Sequence, residues 1–383
     1  MTSEGPGLFA GIYARGGAGA QLTDHAWVQA MLDVEAALAR ACAQLGLIPA
    51  VAADEIASAC RVDRFDLQAL SQATAASATP VVGLVAALRA AVGQAARPYV
   101  HLGATSQDIV DTALMLVARR TLEPLLDDAR AVADAAARLA DEHRATPMIG
   151  RTLLQQALPT TFGLRAAGWL DGLDGARWRL AQVRDEVLAV QMGGPVGGRA
   201  PAVAARVAAL LALCEPPLPW QPIRLRPAQL AAALGGLCGV LAKIARDVTL
   251  LAQQEVGEVR EGGGTAATGG GGSSSMAHKR NPVAAVSVLA CARRAPGLVS
   301  TVLASMEQEH ERAAGAWQAE WGTHTELLSL TGSAAAWGRE LLEGLEIDAE
   351  RMGANLKDAP TGAEPLPEGC DELIDRALEG HRR

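Results

Sequence analysis

Aromatic residues are scarce, at 3% of 383 positions, and the apolar half of the chain is mostly Ala, Leu and Val. Ala and Leu are strong helix formers, while strands draw on β-branched and aromatic residues. No alternating apolar–polar stretch of useful length is found, which points away from a sheet. The six cysteines, Cys42, Cys60, Cys214, Cys238, Cys291 and Cys370, include no Cys-x-x-Cys pair, and a chain this long needs no disulfide framework. They read as small buried apolar residues. No basic domain stands out in a chain of net charge −8, so nucleic acid is not an expected partner. The N-terminus lacks a basic region followed by an apolar stretch. The most apolar later segment, Ala231 to Ala245, is broken by Lys243 and is too short for a bilayer. No membrane association is expected, and the cytoplasm is the expected location. An acidic protein can still bind an anionic substrate, because a pocket needs only a few local cations.

What the chain does have is helical periodicity. Trp27, Met31, Val34, Leu38 and Leu45 recur at helical spacing from Asp24 to Leu45, with Asp33, Glu35 and Arg40 on other faces. Gly46 and Pro49 supply stop signals. Further helices are predicted after Thr105-Ser106 towards His143, and over Thr160–Gln191, Pro227–Glu258, Pro282–Ala313 and Thr323–Leu345. Thr105 and Asp108 have capping-box spacing. The expected fold is all-α: a small N-terminal helical domain over 1–95, a central bundle of long helices over 96–345, and a reduced C-terminal segment over 346–383. That last segment is rich in Pro, Gly and acidic residues and offers one short helix, Cys370 to Leu378; no folded domain is assigned to it.

Two segments break the pattern. Gly193 to Ala200 holds four glycines and a proline. Glu261 to Ser275 contains GGGTAATGGGGSSS, which suits either a surface linker or a loop that closes over a site.

Three polar segments carry candidate chemistry. In His101-Leu-Gly-Ala-Thr-Ser-Gln-Asp108, hydroxyls and free N–H groups at a helix start make a carboxylate site, though Thr105 also serves as a simple cap. In Gly150-Arg-Thr-Leu-Leu-Gln-Gln-Ala-Leu-Pro159, Thr152 and Gln155 are expected side by side on one helical face. In Gly272-Ser-Ser-Ser-Met-Ala-His-Lys-Arg-Asn-Pro282, Lys279 and Asn281 can bind a carboxylate beside a row of serines.

Together these segments resemble the signature regions of the fumarase/aspartase superfamily: HxGxTSxD, TxxQxAxP and GSSxMPxKxNP. The first two match in full, and the third has Ala277 in place of the proline. The stretches Ala26–Ala41, Gly150–Gly163 and Gln308–Trp321 look like the carboxymuconate cycloisomerase branch. The His-Lys-Arg-Asn-Pro run is shared with adenylosuccinate lyases.

The resemblance implies a cofactor-free enzyme that adds or eliminates a group β to a carboxylate. It places the base on Ser273, with Lys279 and Asn281 holding the carboxylate where charge builds up. Thr105, Ser106, Thr152 and Gln155 fall on substrate-binding positions, and His101 on a polar site position. Arg312 is a further anion contact, with a surface ion pair to Glu309 or Glu311 as the alternative; Arg15 sits where relatives place a substrate arginine. The implied reaction is lactonisation of 3-carboxy-cis,cis-muconate to 4-carboxymuconolactone, in protocatechuate (β-ketoadipate) catabolism. The partner would be a small tricarboxylate or dicarboxylate. A homotetramer is implied, each site drawn from three subunits. A related dicarboxylate-adduct lyase and a catalytically weak scaffold homologue are the alternatives.

Relatives carry a histidine one or four residues after the threonine of the second region, and here those positions are Leu153 and Gln156. A carboxylate leaves without a proton, since its conjugate acid has a pKa of about 4. The absent histidine therefore suits lactonisation, unless His278, His310 or His324 supplies the acid.

Overall fold

The computed structural model describes residues 7–262 and 280–383. Its frame is set by α6 (Ser106–Glu142), which carries Pro124 in its interior. At 1.5 Å per residue its 37 residues span roughly 55 Å. Before it come α1 (Ala10–Tyr13), α2 (Asp24–Gln44), α3 (Ala50–Ala59), α4 (Leu67–Ser77) and α5 (Pro80–Ala91). The Thr23 hydroxyl caps α2 by accepting the Ala26 N–H at 3.1 Å. Helix α2 packs against α3, α6 and α8 (Pro201–Leu211).

Four more long helices join α6: α7 (Phe162–Gln182), α9 (Leu225–Leu251), α10 (Val283–Ala304) and α11 (Ala316–Glu343). Side-chain links show that they alternate in direction. Arg224 and Trp317, which introduce α9 and α11, both bond Asp111 near the start of α6. Gly262 and Gly344, beyond the far ends of α9 and α11, bond each other at 2.7 Å. Over half of the most apolar stretch of α9, and about two-fifths of that of α10, is buried inside the chain. Both helices are long and apolar enough to cross a bilayer, but they pack in the bundle against α11, and α9 also against α7.

Several expected helix ends shift. The Thr160–Gln191 helix ends at Gln182 and passes through a π-turn, Val183–Val187. The Pro282–Ala313 helix stops at Ala304, and α11 starts seven residues before Thr323.

Two departures are larger. Short strands are present: β1 (Pro147–Thr152) pairs antiparallel with β2 (Gln155–Thr161), and β3 (Val259–Glu261) pairs with β4 (Leu345–Ile347). The C-terminal segment is also ordered. Helix α12 (Ala349–Lys357) packs on β1, and α13 (Cys370–Arg382) packs along α7. His381 on α13 lies between Asp174 (3.0 Å) and Asp134 (2.9 Å), and Arg144 bonds Asp375 at 3.0 Å. A few buried apolar groups, Ile374 and Leu378 among them, suffice to dock this otherwise polar helix.

Candidate active site

The first signature region sits at one end of the bundle. Thr105 is the N-cap of α6, and its N–H donates to the Asp108 carboxylate at 3.1 Å. Asp108 also accepts the N–H groups of Gly193 and Gly194, both at 2.9 Å, and the Gln191 amide at 3.1 Å. Burial pushes its carboxyl up from the ordinary range, and these donors pull it back. The Gly193–Ala200 segment is thus tied to the start of α6 and frames the site.

Arg312 reaches the same place from the loop between α10 and α11. Its Nη2 donates to the Thr105 hydroxyl at 2.8 Å, and its Nε to Gln107 Oε1 at 3.4 Å. Among the described residues Arg312 forms no ion pair with Glu309 or Glu311, and Glu309 accepts the Ala314 N–H at 3.0 Å. A second guanidinium, that of Arg199, lies against Gly103. Gly103 has φ +64°, a conformation that favours glycine, and a Cβ there would come 3.2 Å from Arg199 Nη1. Among the described residues neither Arg199 nor Arg312 has a carboxylate partner. Two unneutralised cations beside a helix N-terminus are an arrangement that can hold an anion. Arg199 escaped the sequence reading because it stands in a stretch noted only for its glycines.

His101 has φ +62°, and its Nδ1 donates to Glu35 Oε1 at 2.6 Å. Glu35 is almost wholly buried, which corrects its assignment to an outer face of α2. The carboxylate fixes the ring tautomer and leaves Nε2 as the acceptor of the neutral form. The signal for Glu35 was its position one turn after Met31, on the apolar stripe itself.

The second region lies at the opposite end of the bundle, and it is a hairpin rather than a helix. Thr152 and Gln155 are paired across its tip. They do stand side by side, but through strand pairing and a two-residue turn. Leu153 and Leu154 form that turn at φ +50° and +65°, and are 96% and 72% exposed. Arg151 binds Glu258 with two hydrogen bonds, at 2.7 and 2.9 Å, joining the hairpin to the chain just before β3.

Of the third region the described residues include Asn281, whose carbonyl accepts the Val283 N–H at 2.9 Å. Ser273, Lys279 and His278 lie outside the described residues. Glu261 binds the Ala284 and Ala285 N–H groups at 3.1 and 2.8 Å, so the flanks of this segment meet. Arg15 pairs with Glu340 and stacks on the Trp337 ring at 3.9 Å.

Within one chain, then, Thr105, Ser106, His101 and Arg312 stand at one end of α6. Thr152, Gln155 and Asn281 stand at the other. His324 is fully buried in α11, with burial pushing its pKa down to about 3, and is no candidate for the missing acid. His310 is exposed, at φ +45°. A cavity of about 900 Å³ lies one turn from the first region, between Trp27, Met31, Leu70, Val110 and Trp321. It is mainly apolar, and the one cation among its described lining residues, Arg294, is already paired with Glu326, so it offers a carboxylate no free cation.

Comparison with known proteins agrees with the motifs. A family model described as lyase matches residues 17–297. A 3-carboxy-cis,cis-muconate cycloisomerase of Pseudomonas aeruginosa is 46% identical over 346 residues, covering 88% of this chain and 75% of that one. A nitrosuccinate lyase of Streptomyces davaonensis is 45% identical, covering 91% and 77%. The crystal structure of the 3-carboxy-cis,cis-muconate lactonizing enzyme of Pseudomonas putida superposes with a TM-score of 0.88 at 34% identity, over 98% of this chain and 99% of that one.

Proposed function

Because the chain belongs to the lyase family of the fumarase/aspartase superfamily, we propose that it is a 3-carboxy-cis,cis-muconate cycloisomerase that forms 4-carboxymuconolactone. The observation that carries this reading is the pairing of an unneutralised Arg312–Thr105 contact with a second region that has Leu153 and Gln156 where relatives carry a histidine. A polycarboxylate finds cations at one end, and the leaving group finds no histidine acid on the hairpin.

In the forward reaction one carboxylate oxygen of the muconate bonds to an alkene carbon. The π electrons move to the neighbouring carbon and into its carboxylate, giving an aci-carboxylate. Ser273 delivers a proton to that carbon, and in the reverse direction removes it. Lys279 and Asn281 stabilise the charge that builds up on the carboxylate. Arg312, Thr105 and Ser106 hold a second carboxylate, with Thr152 and Gln155 supplying further donors. In reverse the carboxylate leaves as a weak base and needs no acid.

In one chain the Arg312–Thr105 pair and the Thr152–Gln155 hairpin stand at opposite ends of α6, itself roughly 55 Å long, so the reading includes a homotetramer with sites shared between subunits. The apolar faces left open support this. Val286 and Leu303 on α10 are half exposed. A groove of about 680 Å³ between α7 and α9, lined by Gly168, Gly172, Gly236 and Gly239, admits close approach of another helix.

The test is to mix the protein with 3-carboxy-cis,cis-muconate and follow the loss of diene absorbance. Wild type is expected to consume it and Ser273→Ala to be inactive. No loss with a folded tetramer would overturn the reading. A second reading, elimination from nitrosuccinate, is favoured by the 45% identical relative. It also expels a weakly basic anion, and release of nitrite would identify it.

A further inference from the structure

Beneath the first region lies a buried group of charges that the proposed chemistry does not use. Arg224 is fully buried between two carboxylates. Its Nη1 and Nη2 donate to Asp111 Oδ2 and Oδ1 at 2.6 and 3.0 Å. Its Nε and Nη2 donate to Glu320, at 3.0 and 2.6 Å. Trp317 Nε1 gives Asp111 a further bond at 2.9 Å, and the Gln308 amide gives Glu320 one at 3.1 Å. Burial alone works against the charge of Arg224, but the two carboxylates outweigh it and hold the guanidinium protonated.

This group ends on Gln107. The Gln107 amide nitrogen donates to Asp111 Oδ2 at 3.1 Å and to the Gln221 carbonyl at 2.9 Å. Both are acceptors only, so the amide cannot flip, and Oε1 must face the other way. What it faces is Arg312 Nε, at 3.4 Å. The same guanidinium holds Thr105 through Nη2.

We infer that Gln107, oriented by the Asp111–Arg224–Glu320 group, is a positioning residue that aims the Arg312 guanidinium at the substrate carboxylate. The inference rests on the cycloisomerase reading for its kinetic consequence. Its structural consequence stands without that reading. A one-turn step from Gln107 to Asp111 on α6 links a buried interior cluster to a cation, Arg312. One buried charge is left over in that cluster, since two carboxylates face one guanidinium, and it favours a cation held above it.

The experiment is a double-mutant cycle with Gln107→Met and Arg312→Met, read as kcat and KM for 3-carboxy-cis,cis-muconate, together with a crystal structure of Gln107→Met. A charged hydrogen bond lost from substrate binding raises KM about tenfold or more and leaves kcat nearly unchanged. Gln107→Met is therefore expected to raise KM about tenfold, and to add nothing once Arg312 is already Met. In its crystal structure the Arg312 guanidinium is expected to leave Thr105. Fully additive effects, or an unmoved Arg312, would overturn the positioning role. If the wild type does not act on the muconate, the cycloisomerase reading fails, and the position of Arg312 in the variant still decides this one. Gln107→Asn, which keeps an amide, covers the case in which Gln107→Met does not fold: it is expected to show the same KM rise in weaker form, and an unchanged KM would count against the role.

Discussion

His324 shows how a single residue sets a pH response. Neither ring nitrogen has a hydrogen-bond partner, and burial, followed by the nearby Arg224 charge, pushes its pKa down to about 3 from 6.5. Between these values the unfolded chain binds a proton that the folded chain refuses. Stability is therefore complete above about pH 6.5 and is lost as pH falls towards 3. His324→Leu removes two orphaned polar atoms and this proton uptake. It is expected to be more stable at pH 7 by roughly 1–3 kcal/mol, with a shallower loss in acid, as urea midpoints across that range would register. An acid response as steep as that of wild type would mean other groups control it. Arg224 behaves in the opposite way. Arg224→Met strands two buried carboxylates and is expected to cost about 3–5 kcal/mol, measured by chemical denaturation.

At the scale of elements, the long helices and some of their starts were legible, while the start of α11 and the hairpin were not. Thr23, Thr105 and Thr161 each precede a run at helical spacing, and each is an N-cap in the structure. The hairpin was hidden because its turn is Leu-Leu, where Asn-Gly is the usual signal, and because a spacing of three also suits a helix. The three motifs located the candidate residues, but what holds them was not visible. Glu35, Asp111 and Arg224 are ordinary charges in helical sequence until packing brings each beside its partner. Glu261 is another such residue, capping α10 across the third region. Glu261→Ala is expected to lower stability by about 0.5–2 kcal/mol, by the same denaturation measurement. Turnover should fall with it, because Asn281 sits next to the loosened helix start.

For the whole molecule, the proposed tetramer makes activity a property of the assembly, because the first region and the hairpin stand at opposite ends of one chain. Assayed with substrate far below the raised KM of Arg312→Met, that variant and Ser273→Ala are each expected to turn over little when pure. Unfolded together and refolded as mixed tetramers, they should recover activity, because about a quarter of the sites in an even mixture would hold both intact regions. No recovery in verified mixed tetramers would mean that each site is built within one chain. The motifs named the candidate residues, while the division of Arg312 and Thr105 from Thr152 and Gln155 between the ends of the bundle follows only from the length and direction of the helices.

That length has a consequence for how the gene can change. Helix α6 works as a ruler between the Arg312 site and the hairpin, and a helix turns by about 100° with each residue. Deleting one residue between Asp111 and Pro124 would swing Gln107 and Asp111 away from Arg312 and Arg224 while leaving every remaining side chain intact. Deleting seven would bring the faces back to within about 20°, but would draw the two ends closer by roughly 10 Å. Substitutions along α6 can therefore accumulate one at a time, whereas insertions and deletions have no small step available to them.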